Sequence, residues 1–215
     1  MREQTIQKIL EEKIIVIVRG VEREKLIPMA EALYEGGIRL LELTYDAKGN
    51  PSDEEMADRI GMLARHFEGR MRIGAGTVLT EKQVELTRAA GGTFIISPDA
   101  APEVIKATRA AGLVSIPGCL TPTEMQQAHK AGADFIKLFP ADQFGPSYFK
   151  AVKAPLSHLR LLAVGGVNPE NLPDYQAAGA AGYGVASNIL DRKAIAENRF
   201  EVLTEKARKY VSLVK

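Results

Sequence analysis

The sequence predicts a (β/α)8 TIM barrel with an extra N-terminal helix, and three observations lead there. Eight short apolar, β-branched runs recur along the chain, each followed by a turn and a longer amphipathic stretch. Most of those stretches close on Gly or Gly-Gly just before the next run. The runs are continuous rather than alternating, which is how strands buried on both faces look. Strand-helix alternation implies parallel strands joined by crossovers. Eight even units of roughly 25 residues, with no Gly-x-Gly-x-x-Gly turn after the first run, favour a closed barrel over an open doubly wound sheet.

In order, a helix over 3–12 is expected to plug the barrel bottom ahead of the first strand, Ile14–Val18. Further strands are expected at Leu40–Leu43, Met71–Ala75, Thr93–Ile96, Leu113–Ile116, Phe135–Phe139, Leu161–Val164 and Gly182–Ala186. Ser52 with Glu55, and Thr80 with Gln83, read as capping boxes that start helices. Thr121-Pro122 and Asn168-Pro169 read as a cap followed by proline at the first helical position. Gly36-Gly37, Gly91-Gly92, Gly112, Gly132 and Gly179 supply the helix stops, because glycine accepts the left-handed conformation there. A last helix over about 199–214 closes the ring. No linker or low-complexity segment interrupts the pattern, so residues 1–215 read as one domain.

Composition narrows the function. The 215 residues carry 28 Lys+Arg against 27 Asp+Glu, a formal net charge of +1. That balance argues against a nucleic acid or membrane surface recognised by bulk charge, but leaves room for a local anion site. A single cysteine excludes a disulfide framework and fits a reducing cytoplasm, the expected location. The run Ile14–Val18 is too short for a signal core or a membrane span.

In a barrel the chemistry sits at the C-terminal strand ends. Lys137 is the one cation in the apolar strand Phe135-Ile136-Lys137-Leu138-Phe139-Pro140. Desolvation lowers a lysine's pKa, and a neutral amine forms Schiff bases with carbonyls; the alternative is a snorkelling or ion-paired lysine. Glu42 is the one charge in Leu40-Leu41-Glu42-Leu43-Thr44. It reads either as a proton shuttle with a raised pKa or as a buried ion pair with Lys137 or Arg19. Arg19 ends the first strand and reads as a bidentate clamp for a carboxylate or as a rim residue. Gly74-Ala75-Gly76-Thr77 allows close approach of a ligand, and equally a tight turn. Gly165-Gly166 and Ala186-Ser187-Asn188, after the seventh and eighth strands, suit a phosphate bound by backbone N–H groups at a short helix N-terminus. Cys119 and the three histidines fall outside any reactive pattern, and no ligand spacing suggests a metal.

Together, Glu42-Leu43-Thr44, Gly74-Ala75-Gly76-Thr77, Ile96-Ser97-Pro98, Ile116-Pro117-Gly118, the Lys137 strand and Gly165-Gly166-Val167 resemble the KDPG/KHG aldolase family, over about residues 14–189. The resemblance implies a metal-free, cofactor-free class I aldolase, usually a homotrimer. Such an enzyme cleaves 2-keto-3-deoxy-6-phosphogluconate, or 4-hydroxy-2-oxoglutarate, to pyruvate and an aldehyde. It implies Lys137 as Schiff-base lysine and Glu42 as general acid/base. Thr77 is then at the pyruvyl carboxylate, Gly165, Gly166 and Ser187 at the phosphate, and Pro98, Pro117 and Phe139 along the pocket. Two departures bear on substrate. Tyr45-Asp46 stands where some members have a carboxylate-gripping arginine, a role Arg19 is expected to take. Val164 precedes the Gly-Gly pair where gluconate-type members have threonine, which, with Phe144-Gly145-Pro146, looks closer to enzymes for the C4 epimer, 2-keto-3-deoxy-6-phosphogalactonate. Other phosphate-binding barrels remain as alternatives: an epimerase, an isomerase, a thiamine-phosphate-synthase-like transferase, or a non-catalytic sensor of sugar acids.

Overall fold

The computed structural model describes residues 1–215 and has the expected barrel architecture. Helix α1 (Arg2–Glu12) precedes β1 (Ile14–Val18), and α2 (Leu26–Glu35) leads to β2 (Leu40–Thr44). Then come α3 (Asp53–His66), β3 (Arg72–Gly76), α4 (Glu81–Ala89), β4 (Phe94–Ile96) and α5 (Pro102–Ala110). The chain continues through β5 (Val114–Ile116), β6 (Gly118–Cys119), α6 (Pro122–Ala131), β7 (Ile136–Leu138), α7 (Gly145–Lys153) and β8 (Leu161–Val164). It ends with α8 (Leu172–Ala177), β9 (Gly182–Val185), α9 (Arg192–Ala196) and α10 (Glu201–Val214). No helix is long and apolar enough to cross a membrane.

All strand pairs are parallel, in the order β5-β4-β3-β2-β1-β9-β8-β7-β6. The ninth strand corrects the expectation of eight. The fifth predicted run, Leu113–Ile116, holds β5, which pairs with β4. Pro117, with no N–H to donate, ends it, and just beyond lies an unpredicted short strand, β6, which pairs with β7. The ring still closes there, because the Pro117 carbonyl accepts the Lys137 N–H at 2.9 Å and Gly118 N–H donates to Asp99 O at 3.0 Å.

Inside the ring, α1 sends Ile6 and Ile9 into a plug with Ile15, Leu40, Phe94 and Phe135, as expected of that helix. Glycines on β3 and β9 leave room that neighbouring strands fill. A Cβ on Gly74 would overlap the Phe94 ring, and one on Gly184 would press on Val164 and Ile17. Outside, α10 seals the ring on α2, where Thr204 Oγ1 donates to Ala32 O at 2.9 Å and Gly36 lies too close to Ala207 for any side chain.

Caps follow the sequence in part. Ser52 and Glu55 form the full box, as do Thr121 and Glu124, with Pro122 at the first helical position as expected. Thr80 accepts from Gln83 N, but the Gln83 side chain turns to Leu79 N–H and Asp53, so that box has one leg. Asn168 starts no helix. Its Oδ1 accepts from the N–H groups of Glu170 and Asn171, a local turn that delays α8 to Leu172.

Candidate active site

The strand ends of β1, β2, β7, β8 and β9 surround a cavity of about 710 Å³, within the usual range for small-molecule sites. Lys137, Glu42, Arg19 and Thr77 line it, as do Pro98, Phe139, Val164, Gly165, Gly166 and Ser187. Pro117 is the exception among the expected residues. It is buried between β5 and β6 and reaches the site only through its carbonyl on the Lys137 N–H.

Lys137 sits mid-strand on β7, 7% exposed, because both neighbours on the strand point outward into the helix layer while it points inward. Its Nζ lies 4.4 Å from the centroid of the Phe139 ring. Burial pushes its pKa down, the Glu42 charge opposes that, and the Arg19 charge adds to it. Glu42 is 2% exposed. Burial pushes its carboxyl up to about 7, against the pull of Lys137 and Arg19. Neither residue belongs to any ion pair in the chain, and Glu42 Oε2 has no hydrogen-bond partner. Satisfied burial is the rule for polar groups, so an unpartnered carboxylate facing a cavity is poised to take up a substrate group. The two shifts run toward each other, the amine down and the carboxyl up, which favours a neutral amine beside a carboxyl that titrates near neutrality.

Gly76 is the residue the sequence reading undervalued. A Cβ there would overlap Glu42 Oε1, so only glycine leaves the carboxyl its place. The signal was the inward register of Gly76 on β3, two residues after Gly74, which spacing alone does not reveal. Thr77 follows in the left-handed region at φ 55, a strained conformation for a β-branched residue. Its Oγ1 accepts from Arg19 Nη2 at 3.0 Å. Arg19 is exposed, so it stands at the mouth rather than buried in the site.

At the other end, Gly165 and Gly166 adopt φ 99 and 67 and pack against the loop after β7. The N–H groups of Gly165, Gly166 and Ser187 donate to no backbone carbonyl. They are open donors for an anion. The expected short helix N-terminus is absent there. Residues 187–189 form a turn, and α9 starts later with its first amides taken by Asp191. Cys119 is buried with its thiol pushed up to about 12 by burial, and no group of three His, Cys, Asp or Glu side chains is placed to hold a metal.

Comparison with known proteins places this geometry. The profile of the family described as "KDPG and KHG aldolase" matches residues 5–205. The chain is 36% identical over 177 residues to the Escherichia coli K12 2-dehydro-3-deoxy-6-phosphogalactonate aldolase, covering 82% of this chain and 83% of that one. It is 28% identical over 214 residues to the Haemophilus influenzae 2-dehydro-3-deoxy-phosphogluconate aldolase, covering 99% and 98%. Among solved structures, KDPG aldolase from Legionella pneumophila, with pyruvate captured as a covalent carbinolamine, superimposes with a TM-score of 0.82 at 29% identity, covering 92% and 93%.

Proposed function

The chain belongs to the KDPG and KHG aldolase family, and from that premise we propose a reversible Schiff-base cleavage of a 2-keto-3-deoxy-6-phospho sugar acid carried by Lys137 and Glu42. The observation that carries the reading is the unpartnered Glu42 carboxyl sharing a cavity with the desolvated Lys137 amine. Neutral Lys137 Nζ adds to the C2 ketone, and loss of water from the carbinolamine leaves a protonated imine. Glu42, directly or through a water, removes the proton of the C4 hydroxyl. The C3–C4 bond breaks, its electrons enter the imine as an enamine, and glyceraldehyde 3-phosphate leaves. Glu42 returns the proton to C3, and water hydrolyses the imine to pyruvate and free lysine. Thr77 and Arg19 hold the pyruvyl carboxylate, Pro98 and Phe139 wall the pocket, and the Gly165, Gly166 and Ser187 amides take the phosphate.

For the natural substrate we favour the galactonate epimer. Val164 is buried at the wall and offers no hydroxyl to a C4 group, and the galactonate relative is the more identical of the two compared. A pyruvate-release panel of the gluconate and galactonate epimers and 4-hydroxy-2-oxoglutarate tests this. Faster release from the galactonate epimer supports it, and a preference of the parent for the gluconate epimer contradicts it. We further propose one barrel domain over residues 1–215, from the unbroken strand-helix pattern, a cytoplasmic location, from the single cysteine, and, by the family resemblance, a homotrimer. A clean monomer by sedimentation at working concentration would contradict the trimer.

A further inference from the structure

The cavity wall next to the phosphate turns comes from the loops after β1 and β9, strands that are neighbours in the ring. Beyond Arg19, which faces Thr77, the segments after these strands contribute two further cations, Lys25 after β1 and Arg192 at the start of α9, and one carboxylate, Glu22. None of the three belongs to an ion pair. The acidic residues nearest Arg192 in sequence are already engaged: Asp191 holds Lys206 at 2.9 Å and the Ala194 N–H at 3.0 Å, and Glu197 holds Arg199 at 2.7 Å. The Arg192 side chain makes no hydrogen bond in the chain. Lys25 Nζ donates only to neutral acceptors, Asn198 Oδ1 and Ala196 O, so it is positioned without being neutralised. Asn198 holds that contact from φ 57, in the left-handed region.

We propose that Arg192 and Lys25 form a cationic rim that selects ligands ending in a phosphate dianion, with Glu22 setting an upper limit on the grip. The inference rests on the substrate reading above for the identity of the anion. The backbone amides of Gly165, Gly166 and Ser187 supply directional bonds but no net charge. A dianion entering a cavity gains most from cations whose charge no carboxylate cancels. An uncharged distal group gains nothing from them, so the rim discriminates by charge rather than by shape. Because both cations reach solvent, their pull is screened by salt.

Equilibrium binding of glycerol 3-phosphate, with glycerol as the control, tests the rim in the parent, Arg192→Ala, Arg192→Lys, Lys25→Met and Glu22→Gln. Arg192→Ala removes a side chain without internal partners, so folding is not at issue, whereas Lys25→Met also loses the Asn198 contact. We expect Arg192→Ala to weaken glycerol 3-phosphate by roughly three- to tenfold at low salt and less at physiological salt. Arg192→Lys should recover most of the loss, and Glu22→Gln should tighten binding by about twofold. Equal affinity in the parent and Arg192→Ala, or no phosphate-dependent binding by the parent, overturns the rim. Pyruvate trapping by borohydride on the same samples separates the two readings. If Lys137 is never trapped while the phosphate pattern holds, the aldolase reading falls and the rim stands.

Discussion

At the bottom of the barrel Asp134 is a nearly buried carboxylate with every oxygen engaged. Arg2 of α1 and Arg109 of α5 reach it from two sides, and the Ser115 N–H donates to it at 3.0 Å. At the top, Glu42 is more deeply buried, yet one of its oxygens meets nothing. Burial pushes both carboxyls above their ordinary values. The difference lies in what balances the cost. Asp134 has part of its desolvation offset by direct hydrogen bonds and ion pairs inside the chain, and it ties the plug helix to the ring. Glu42 feels the Lys137 and Arg19 charges only at a distance, and its Oε2 has no direct partner until a substrate supplies one. A satisfied buried charge fastens parts together, and an unsatisfied one beside a cavity is available for chemistry.

Substitutions should separate the two ends. Lys137→Ala should lower kcat by roughly 10⁴-fold or more, since Lys137 is the one buried lysine lining the cavity, while far-UV circular dichroism stays that of the parent. Glu42→Gln should lower kcat by roughly 10²- to 10⁴-fold. It should also change two pH profiles. The parent needs ionised Glu42 to take the hydroxyl proton, so its kcat should rise through about pH 7, and the variant should lose that limb. For stability the sign is opposite. Between the ordinary carboxyl value of 4.5 and about 7, the unfolded chain has lost a proton that the native Glu42 keeps. The parent should therefore lose stability relative to Glu42→Gln as pH rises through that window, which paired Tm measurements would read.

Arg19→Ala should lower kcat/KM for keto acids about ten- to hundredfold, with Arg19→Lys restoring part, because the guanidinium is exposed and its charge-assisted bond is worth roughly 1.5–3 kcal/mol. The bottom of the barrel should behave in the reverse way. Asp134→Asn should cost about 1–3 kcal/mol in urea unfolding, since its arginine partners are partly solvated, and leave kcat within about twofold. A large loss of kcat in Asp134→Asn would erase the contrast between the ends.

How much of this was legible depended on where the signal lay. Lys137 and Glu42 stood out because a lone charge in an apolar strand is costly wherever the strand sits. The first and seventh strands, Ile14–Val18 and Leu161–Val164, match the structure because unbroken apolar runs mark doubly buried strands. The two-residue strand after Pro117 was not legible, since it exists only through its pairing with β7. The Asn168 turn was missed because a side chain that caps a helix can equally close a local turn. Gly76 required the register between β2 and β3, where Thr44 lies opposite it and Glu42 leans into its space. Lys25 and Arg192 were invisible, because nothing local tells a surface cation facing a cavity from one facing water.

The contrast between the two buried carboxylates is tested most directly by incubating the parent and Glu42→Gln with pyruvate and borohydride and mapping the modified peptide. The expected result is a pyruvate-derived adduct on Lys137 alone in the parent, formed far more slowly in Glu42→Gln, and, with Asp134→Asn treated alongside as a control, at the parent's rate in that variant. An adduct on another lysine, none at all, or equal rates in the parent and Glu42→Gln would contradict it.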